Sequence, residues 1–152
     1  MVKNISIFDM DGTIIDSSHR QATKPDGTLN LAAWIENATP EKISKDIVLP
    51  LAQQIRKRQK AGDYVLICTA RQMSFADFEF LQDNGICPDK IISRPLGNME
   101  ADGSLKAKQL SKLFNLKQFA KASKIMFDDA ASVRSALCLL YTSDAADDLL
   151  CV

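Results

Sequence analysis

Two aspartates, Asp9 and Asp11, stand one residue apart where the apolar run Ile5–Phe8 stops, in the stretch "ISIFDMDGT". Acids placed so close repel each other unless a positive group lies between them. Two more polar groupings close apolar runs. Thr69 and Arg71 follow Tyr64–Cys68, and Asp128 with Asp129 follows Lys124–Phe127. Gathered in one place, Asp9, Asp11, Asp128 and Asp129 suit a hard, oxygen-seeking cation such as Mg2+. A carboxylate can also attack phosphorus and carry the phosphoryl group covalently. A neighbouring acid can protonate the leaving oxygen and later activate water. Thr69 can hydrogen-bond a phosphoryl oxygen, and a lysine would neutralise charge in the transition state. Together these are the parts of a phosphoryl-transfer site. The plainer explanation is that each grouping caps the helix after it; paired acids at two strand ends exceed what a cap requires.

Such groups must be brought together by the elements that carry them. Ile5–Phe8, Tyr64–Cys68, Lys90–Ser93 and Lys124–Phe127 read as short buried strands. Between them, helical spacing covers Ile43–Ala61 with Pro50 as a kink, then Ser74–Asn84 with a serine cap, Ser104–Phe114 and a helix starting at Ala130–Leu137. Asp16–Asn30 is polar, holds the turn signal "KPDGT", and reads as a flap, with a short helix around Trp34 packing the insert. Strands alternating with helices give a parallel sheet covered on both faces. In such sheets ligands bind beyond the carboxyl ends of the strands, near the switch in strand order. The acids and Thr69 fall there.

"DMDGT" after a strand, "ICTAR" closing a second, a lysine in "GSLKAKQL" and "IMFDDAASV" closing a later strand resemble the four motifs of the haloacid dehalogenase superfamily, across residues 3–137. The resemblance implies a Rossmann-like α/β fold and an Mg2+-dependent phosphomonoester hydrolase working through an aspartyl-phosphate. Asp9 is then the nucleophile and Asp11 the general acid/base. The Asp9 side chain, the Asp11 main-chain carbonyl and one of Asp128 and Asp129 hold the metal. Thr69 holds the phosphoryl group. The lysine is Lys106 or Lys108; Lys106, four residues before Leu110, has the better helical phase. The chain is particularly similar to small phage-type phosphatases of this superfamily and to the phosphatase domain of phage polynucleotide kinases. That likeness points to Arg71 and to Arg20, in the flap, for phosphate recognition.

Residues 14–40 can form only a flap and small insert, so no large cap domain is expected. An open site favours a bulky substrate, a nucleotide or a polynucleotide end; any phosphorylated small molecule is the broader class. Two alternatives are a non-catalytic phosphate-binding or interaction module and a phosphotransferase of the same fold.

The bulk properties agree. Lys plus Arg and Asp plus Glu each number 19, so the balanced charge argues against a bulk electrostatic grip on nucleic acid. Lys106, Lys108, Lys112, Lys117, Lys121 and Lys124 are spaced as a solvated surface rather than a basic strip, and His19 reads as a surface group of the flap. No run is long enough to span a membrane, and no signal-peptide pattern opens the chain. Cys68, Cys87, Cys138 and Cys151 lack metal-site spacing, which fits reduced thiols in the cytoplasm. Residues 1–140 are expected to form the hydrolase domain. The last segment, "YTSDAADDLLCV" at 141–152, resembles translated sequencing-adapter read-through and is read as a non-native tail, which would leave the sheet without its last edge strand.

Overall fold

The apolar run at the N-terminus becomes β1 (Asn4–Phe8), the central strand of a five-stranded sheet. This computed structural model describes residues 1–142 and 149–151. β4 (Tyr64–Cys68) and β6 (Ser123–Phe127) flank β1 in parallel register, Ile7 facing Leu66 on one side and Met126 on the other. β5 (Lys90–Ile92) adds beside β4, and β7 (Leu149–Cys151) beside β6. The order is β5-β4-β1-β6-β7, so the chain builds outward on one side of β1 and then returns to build on the other. That reversal makes a crevice at the carboxyl ends of β1, β4 and β6.

Alternate residues of each strand serve opposite faces. Ile5, Ile7, Leu66, Cys68 and Met126 pack under α5 (Asp102–Phe114) and α6 (Ala131–Thr142), with Leu110, Leu113, Phe114, Val133 and Leu137. Phe8, Val65 and Ile67 pack on the other face, with Ile55 of α3 (Gln53–Lys60) and Leu81 of α4 (Phe75–Asp83). Both faces of β1 and β4 are covered, so Ile7–Phe8 and Val65–Cys68 read as apolar runs.

The flap lies between β1 and α3. β2 (Ile15–Asp16) pairs antiparallel with β3 (Ile47–Val48). A 3-10 turn at Ser18–Arg20, a bridge between Thr23 and Leu29, and α1 (Leu31–Glu36) follow β2. No cap-sized insertion interrupts the described residues.

Two expectations are corrected. The single kinked helix over 43–61 is instead α2 (Pro40–Ile43), β3, a 3-10 turn at Pro50–Ala52, and α3. Pro50 opens the turn, where its missing N–H costs nothing. Ile47 and Val48 are drawn into pairing with β2, which helical spacing alone does not reveal. The sheet also has the edge strand expected to be missing: β7 pairs in parallel with Lys124–Met126. The acids that make the tail a poor strand, Asp144, Asp147 and Asp148, precede this apolar triplet and lie outside the described residues.

Candidate active site

Each strand end presents its polar group because the backbone there is still held by the sheet. The Asp9 N–H donates to the Phe127 carbonyl (2.9 Å), and the Thr69 N–H to that of Ile92 (2.9 Å). After Asp9 the chain turns sharply: the N–H groups of Thr13, Ile14 and Ile15 converge on the Met10 carbonyl at 3.0–3.1 Å. Gly12 makes the turn with φ +82°, a value L side chains avoid. It also gives room, because a Cβ at this position would stand 2.8 Å from Asp129 Cγ. The glycine of "DGT" therefore has a local cause: it takes the positive φ and lets the loop lie against Asp129 without displacing it.

Asp9, Asp128 and Asp129 each present an oxygen, and the three atoms lie within 4.8 Å of one another. Lys106 Nζ enters this group from α5, donating to Asp9 Oδ1 (2.8 Å) and Asp128 Oδ2 (2.6 Å). Asp128 Oδ1 accepts from the Ala130 N–H (2.9 Å) just before α6. Asp9, Lys106 and Asp128 are buried, whereas Asp129 is exposed. Burial pushes the Asp9 carboxyl well above the usual carboxylate range, and Lys106 only partly offsets it. Burial alone would lower the Lys106 ammonium, but Asp9 and Asp128 outweigh it and raise its pKa. Cys68, buried beneath, has its thiol pushed up to about 12 by burial, so it is an inert packing group. An oxygen trio of this spacing with excess negative charge fits a small hard cation.

The Asp11 side chain turns away from that trio. Arg71 grips it, Nη2 to Oδ1 (2.5 Å) and Nε to Oδ2 (3.3 Å), and Ser17 Oγ donates to Oδ1 (2.5 Å). Arg71 is 2 % exposed and also reaches Asp77 Oδ1 (2.6 Å) and Asp46 Oδ2 (3.4 Å). Burial works against its charge, yet Asp11 and Asp77 raise its pKa further. Thr69 is fully buried, and its Oγ1 accepts from the Arg71 N–H (2.9 Å). Thr69, expected to hold the phosphoryl group, is thus buried outside the cavity lining, and its hydroxyl shapes the loop carrying Arg71.

Two expected phosphate ligands are placed elsewhere. Arg20 is buried, forks onto Asp46 (2.9 Å at both oxygens) and stacks over Trp34 at 4.2 Å. It ties the flap down rather than facing the acids, and His19 Nε2, 2.8 Å from Asp46 Oδ1, joins it. Lys108 projects from the exposed side of α5 and pairs with Glu100 (2.8 Å), two positions out of phase with Lys106. The lysines expected to lie together on a solvated surface also divide: Lys106 and Lys124 are buried.

Sequence reasoning missed Asp46, Asp77 and Arg94. Asp77 holds Arg71 and caps α4, accepting from the Ser74 N–H (2.8 Å). Arg94 is buried and donates to the Ala70 carbonyl (2.8 Å), bracing the loop after β4. Its position was readable: Arg94 follows β5 much as Arg71 follows β4.

A cavity of about 190 Å³ opens above the acids, lined by Asp9, Asp11, Arg71, Lys106, Asp128 and Asp129 below. Gln21, Leu29, Leu31 and Trp34 of the flap wall one side. The floor can seat a phosphoryl group between a carboxylate nucleophile and cations, and the flap wall can hold an organic remainder.

Comparison with known proteins points the same way. The family model for bacteriophage T5 5'-deoxynucleotidase matches residues 1–138. The 5'-deoxynucleotidase of Escherichia phage T5 is 36% identical over 89 residues, 56% of this chain and 36% of that protein. The chain therefore aligns with about a third of that relative's length. A haloacid dehalogenase-like hydrolase from Streptococcus pneumoniae superposes with TM-score 0.66 at 12% identity, over 98% of this chain and 93% of that one. A chain of the Pnkp1/Rnl/Hen1 complex gives TM-score 0.63 at 20% identity, over 99% of this chain and 46% of that one. These structural likenesses concern the fold, which is that of the haloacid dehalogenase superfamily.

Proposed function

Because the chain belongs to the bacteriophage T5 5'-deoxynucleotidase family, we propose that it is an Mg2+-dependent phosphatase that releases phosphate from nucleotides through an aspartyl-phosphate at Asp9. One observation carries this reading. Asp9, Lys106, Asp128 and Asp129 meet at the carboxyl ends of β1 and β6, under a cavity of about 190 Å³ with Asp11 on its wall.

Asp9, Asp128 and Asp129, with the Asp11 main-chain carbonyl, would hold the cation. Once bound, Mg2+ offsets the repulsion of these acids and the charge of the phosphoryl oxygens. The Asp9 carboxylate attacks phosphorus, the bond to the leaving oxygen breaks, and the phosphoryl group rests on Asp9. Asp11 gives the leaving oxygen its proton, then takes one from the water that cleaves the aspartyl-phosphate. In this structure Asp11 is gripped by Arg71, so this work requires its carboxyl to turn from Arg71 toward the cavity. Lys106 holds Asp9 in line and balances charge on the phosphoryl oxygens. Among the described residues the free thiols of buried Cys68 and exposed Cys87 fit a reducing cytoplasm, and no helix there is long and apolar enough to cross a membrane.

The test is phosphate release from 2'-deoxynucleoside 5'-monophosphates, 5'-phosphorylated oligonucleotides and a chromogenic phosphomonoester, each with Mg2+ and with chelator. Mg2+-dependent release, fastest from the nucleotides or oligonucleotide ends, is expected. No release from any compound would leave a phosphate-binding module as the better reading, and transfer to added alcohols instead of water would make it a phosphotransferase.

A further inference from the structure

Asp102 has no part in the cation or phosphoryl chemistry, yet it lines the same cavity as the flap residues Gln21, Leu29, Leu31 and Trp34. It opens α5, one helical turn ahead of Lys106. Its Oδ1 accepts from Arg94 Nη2 at 2.7 Å. Arg94 cannot give way. Its side chain is wholly buried, and it also donates to the Ala70 carbonyl (2.8 Å), the Glu100 carbonyl (2.6 Å), and Asn98 at its carbonyl (3.2 Å) and Oδ1 (3.0 Å). A planar guanidinium with partners on all sides is fixed in direction. It pins Asp102 at the cavity wall with Oδ1 taken, while Oδ2 accepts no hydrogen bond among the described residues and the side chain is half exposed.

The charges around that oxygen determine what it can meet. The cavity's two cations, Lys106 and Arg71, are buried, and each is already held by at least two carboxylates. Lys108 is paired with Glu100. Among the described residues, no cation lining the cavity is left over for a second anion. An ionised carboxylate has only acceptors to offer. The same cavity is lined by Trp34, which is only 4 % exposed and whose indole N–H can only donate. The seat beyond the phosphoryl floor thus presents an acceptor, a donor and the apolar surfaces of Leu29 and Leu31.

We propose that Asp102, pinned by Arg94, is a specificity residue that accepts a hydrogen bond from a hydroxyl or amino group of the substrate's organic part and turns away a second phosphate there. This rests on the phosphatase reading above. Selection works by both routes, an attraction to the right ligand and a like charge set against the wrong one. The substrate class it defines is a nucleoside monophosphate with a free sugar hydroxyl, as against a bisphosphate or an interior phosphodiester chain.

The experiment compares a 2'-deoxynucleoside 5'-monophosphate, its 3',5'-bisphosphate and its 2',3'-dideoxy counterpart. Their kcat/KM is measured for the wild type and for Asp102→Asn. Their dissociation constants are measured for Asp9→Asn, with and without Asp102→Asn, in Mg2+. The wild type should favour the monophosphate over both others by at least about tenfold, the scale of one well-placed hydrogen bond. Asp102→Asn, whose amide can donate to a phosphate, should raise the bisphosphate-to-monophosphate ratio by about tenfold or more. Equal handling of the mono- and bisphosphate by the wild type overturns the proposal, and so does an unchanged ratio in Asp102→Asn. Absence of turnover by the wild type refutes the phosphatase reading instead, and the binding ratios then still decide the role of Asp102.

Discussion

Replacing Gly12 by alanine tests the local logic of the site with one methyl group. Gly12 sits at φ +82°, and its missing side chain is where Asp129 rests. The added Cβ would lie 2.8 Å from Asp129 Cγ and closer still to Oδ2. Ordinary contact begins near 3.4 Å, so Asp129 must retreat by about half an ångström at Cγ and more at its oxygen. Forcing an L residue into this backbone region costs about 1–2 kcal/mol, and crowding adds about 1–3 kcal/mol where the neighbour cannot yield. Asp129 is exposed and can yield, so the expected loss of stability is about 1–2 kcal/mol. Function should suffer more. A displaced Asp129 no longer shares a 4.8 Å trio with Asp9 and Asp128, and misplacement on the ångström scale can cost ~10²-fold in rate. Thermal melting with phosphate release across an Mg2+ titration separates the two effects. The reasoning fails if Gly12→Ala keeps wild-type turnover at limiting Mg2+.

Three other substitutions probe the charges directly. Asp9→Asn should abolish turnover, because an amide cannot replace the attacking carboxylate. It should also melt higher than the wild type in chelator at neutral pH, by about 2–4 °C for ~1 kcal/mol. The sign comes from the raised Asp9 pKa: above its ordinary 3.8 the folded state binds the proton more tightly than the unfolded, so stability falls as pH rises until the folded-state pKa is passed. A lower melting point than wild type in chelator would contradict it. Asp11→Asn should slow both formation and hydrolysis of the intermediate by ~10²–10⁴-fold in single-turnover kinetics, and a change in neither step would remove Asp11 from the acid/base role. Lys106→Gln leaves Asp9 and Asp128 buried without their cation, a loss of about 3–5 kcal/mol; Mg2+ at 100-fold over its dissociation constant should return about 2.7 kcal/mol, read as a large Mg2+-dependent rise in melting temperature.

The parts of this site that were legible in sequence are those that follow an uninterrupted apolar run. β1, β4 and β6 are buried on both faces, so their ends are marked by the first polar residues, and those residues are Asp9, Thr69 and Asp128. Lys106 was legible because a 13-residue helix keeps phase, which separates it from Lys108 by two positions. Arg20 was misread because an arginine in a polar loop gives no sign of its partner; Asp46, which holds it, is 26 residues away. Asp46 and Asp77 were hidden for the same reason, and Arg94 showed only in its place after β5. Each is a charge in a loop or helix start, ordinary in sequence and exceptional only in being buried. The edge strand was misjudged because the acids of 144–148 dominate the composition of a tail whose last apolar triplet does the pairing.

The buried charges fall into two groups, and their difference bears on function. Around Arg71, each of the partners Asp11, Asp46 and Asp77 meets an arginine, Asp46 meeting Arg20 as well, and hydrogen bonds from Ser17 and Ser74 complete Asp11 and Asp77. That group joins the flap, β3 and α4 to the loop after β4, and its charges are answered within the chain. Around Lys106 they are not. One ammonium faces Asp9 and Asp128 with Asp129 beside them, and the Asp9 carboxyl is held well above its usual range as a result of burial. A buried carboxylate without full compensation is costly, and a fold that places one beneath an open cavity gains stability when a cation arrives. The closed group fixes the walls, while in the proposed mechanism the open group would supply the negative charge that draws Mg2+ and the phosphoryl group to Asp9.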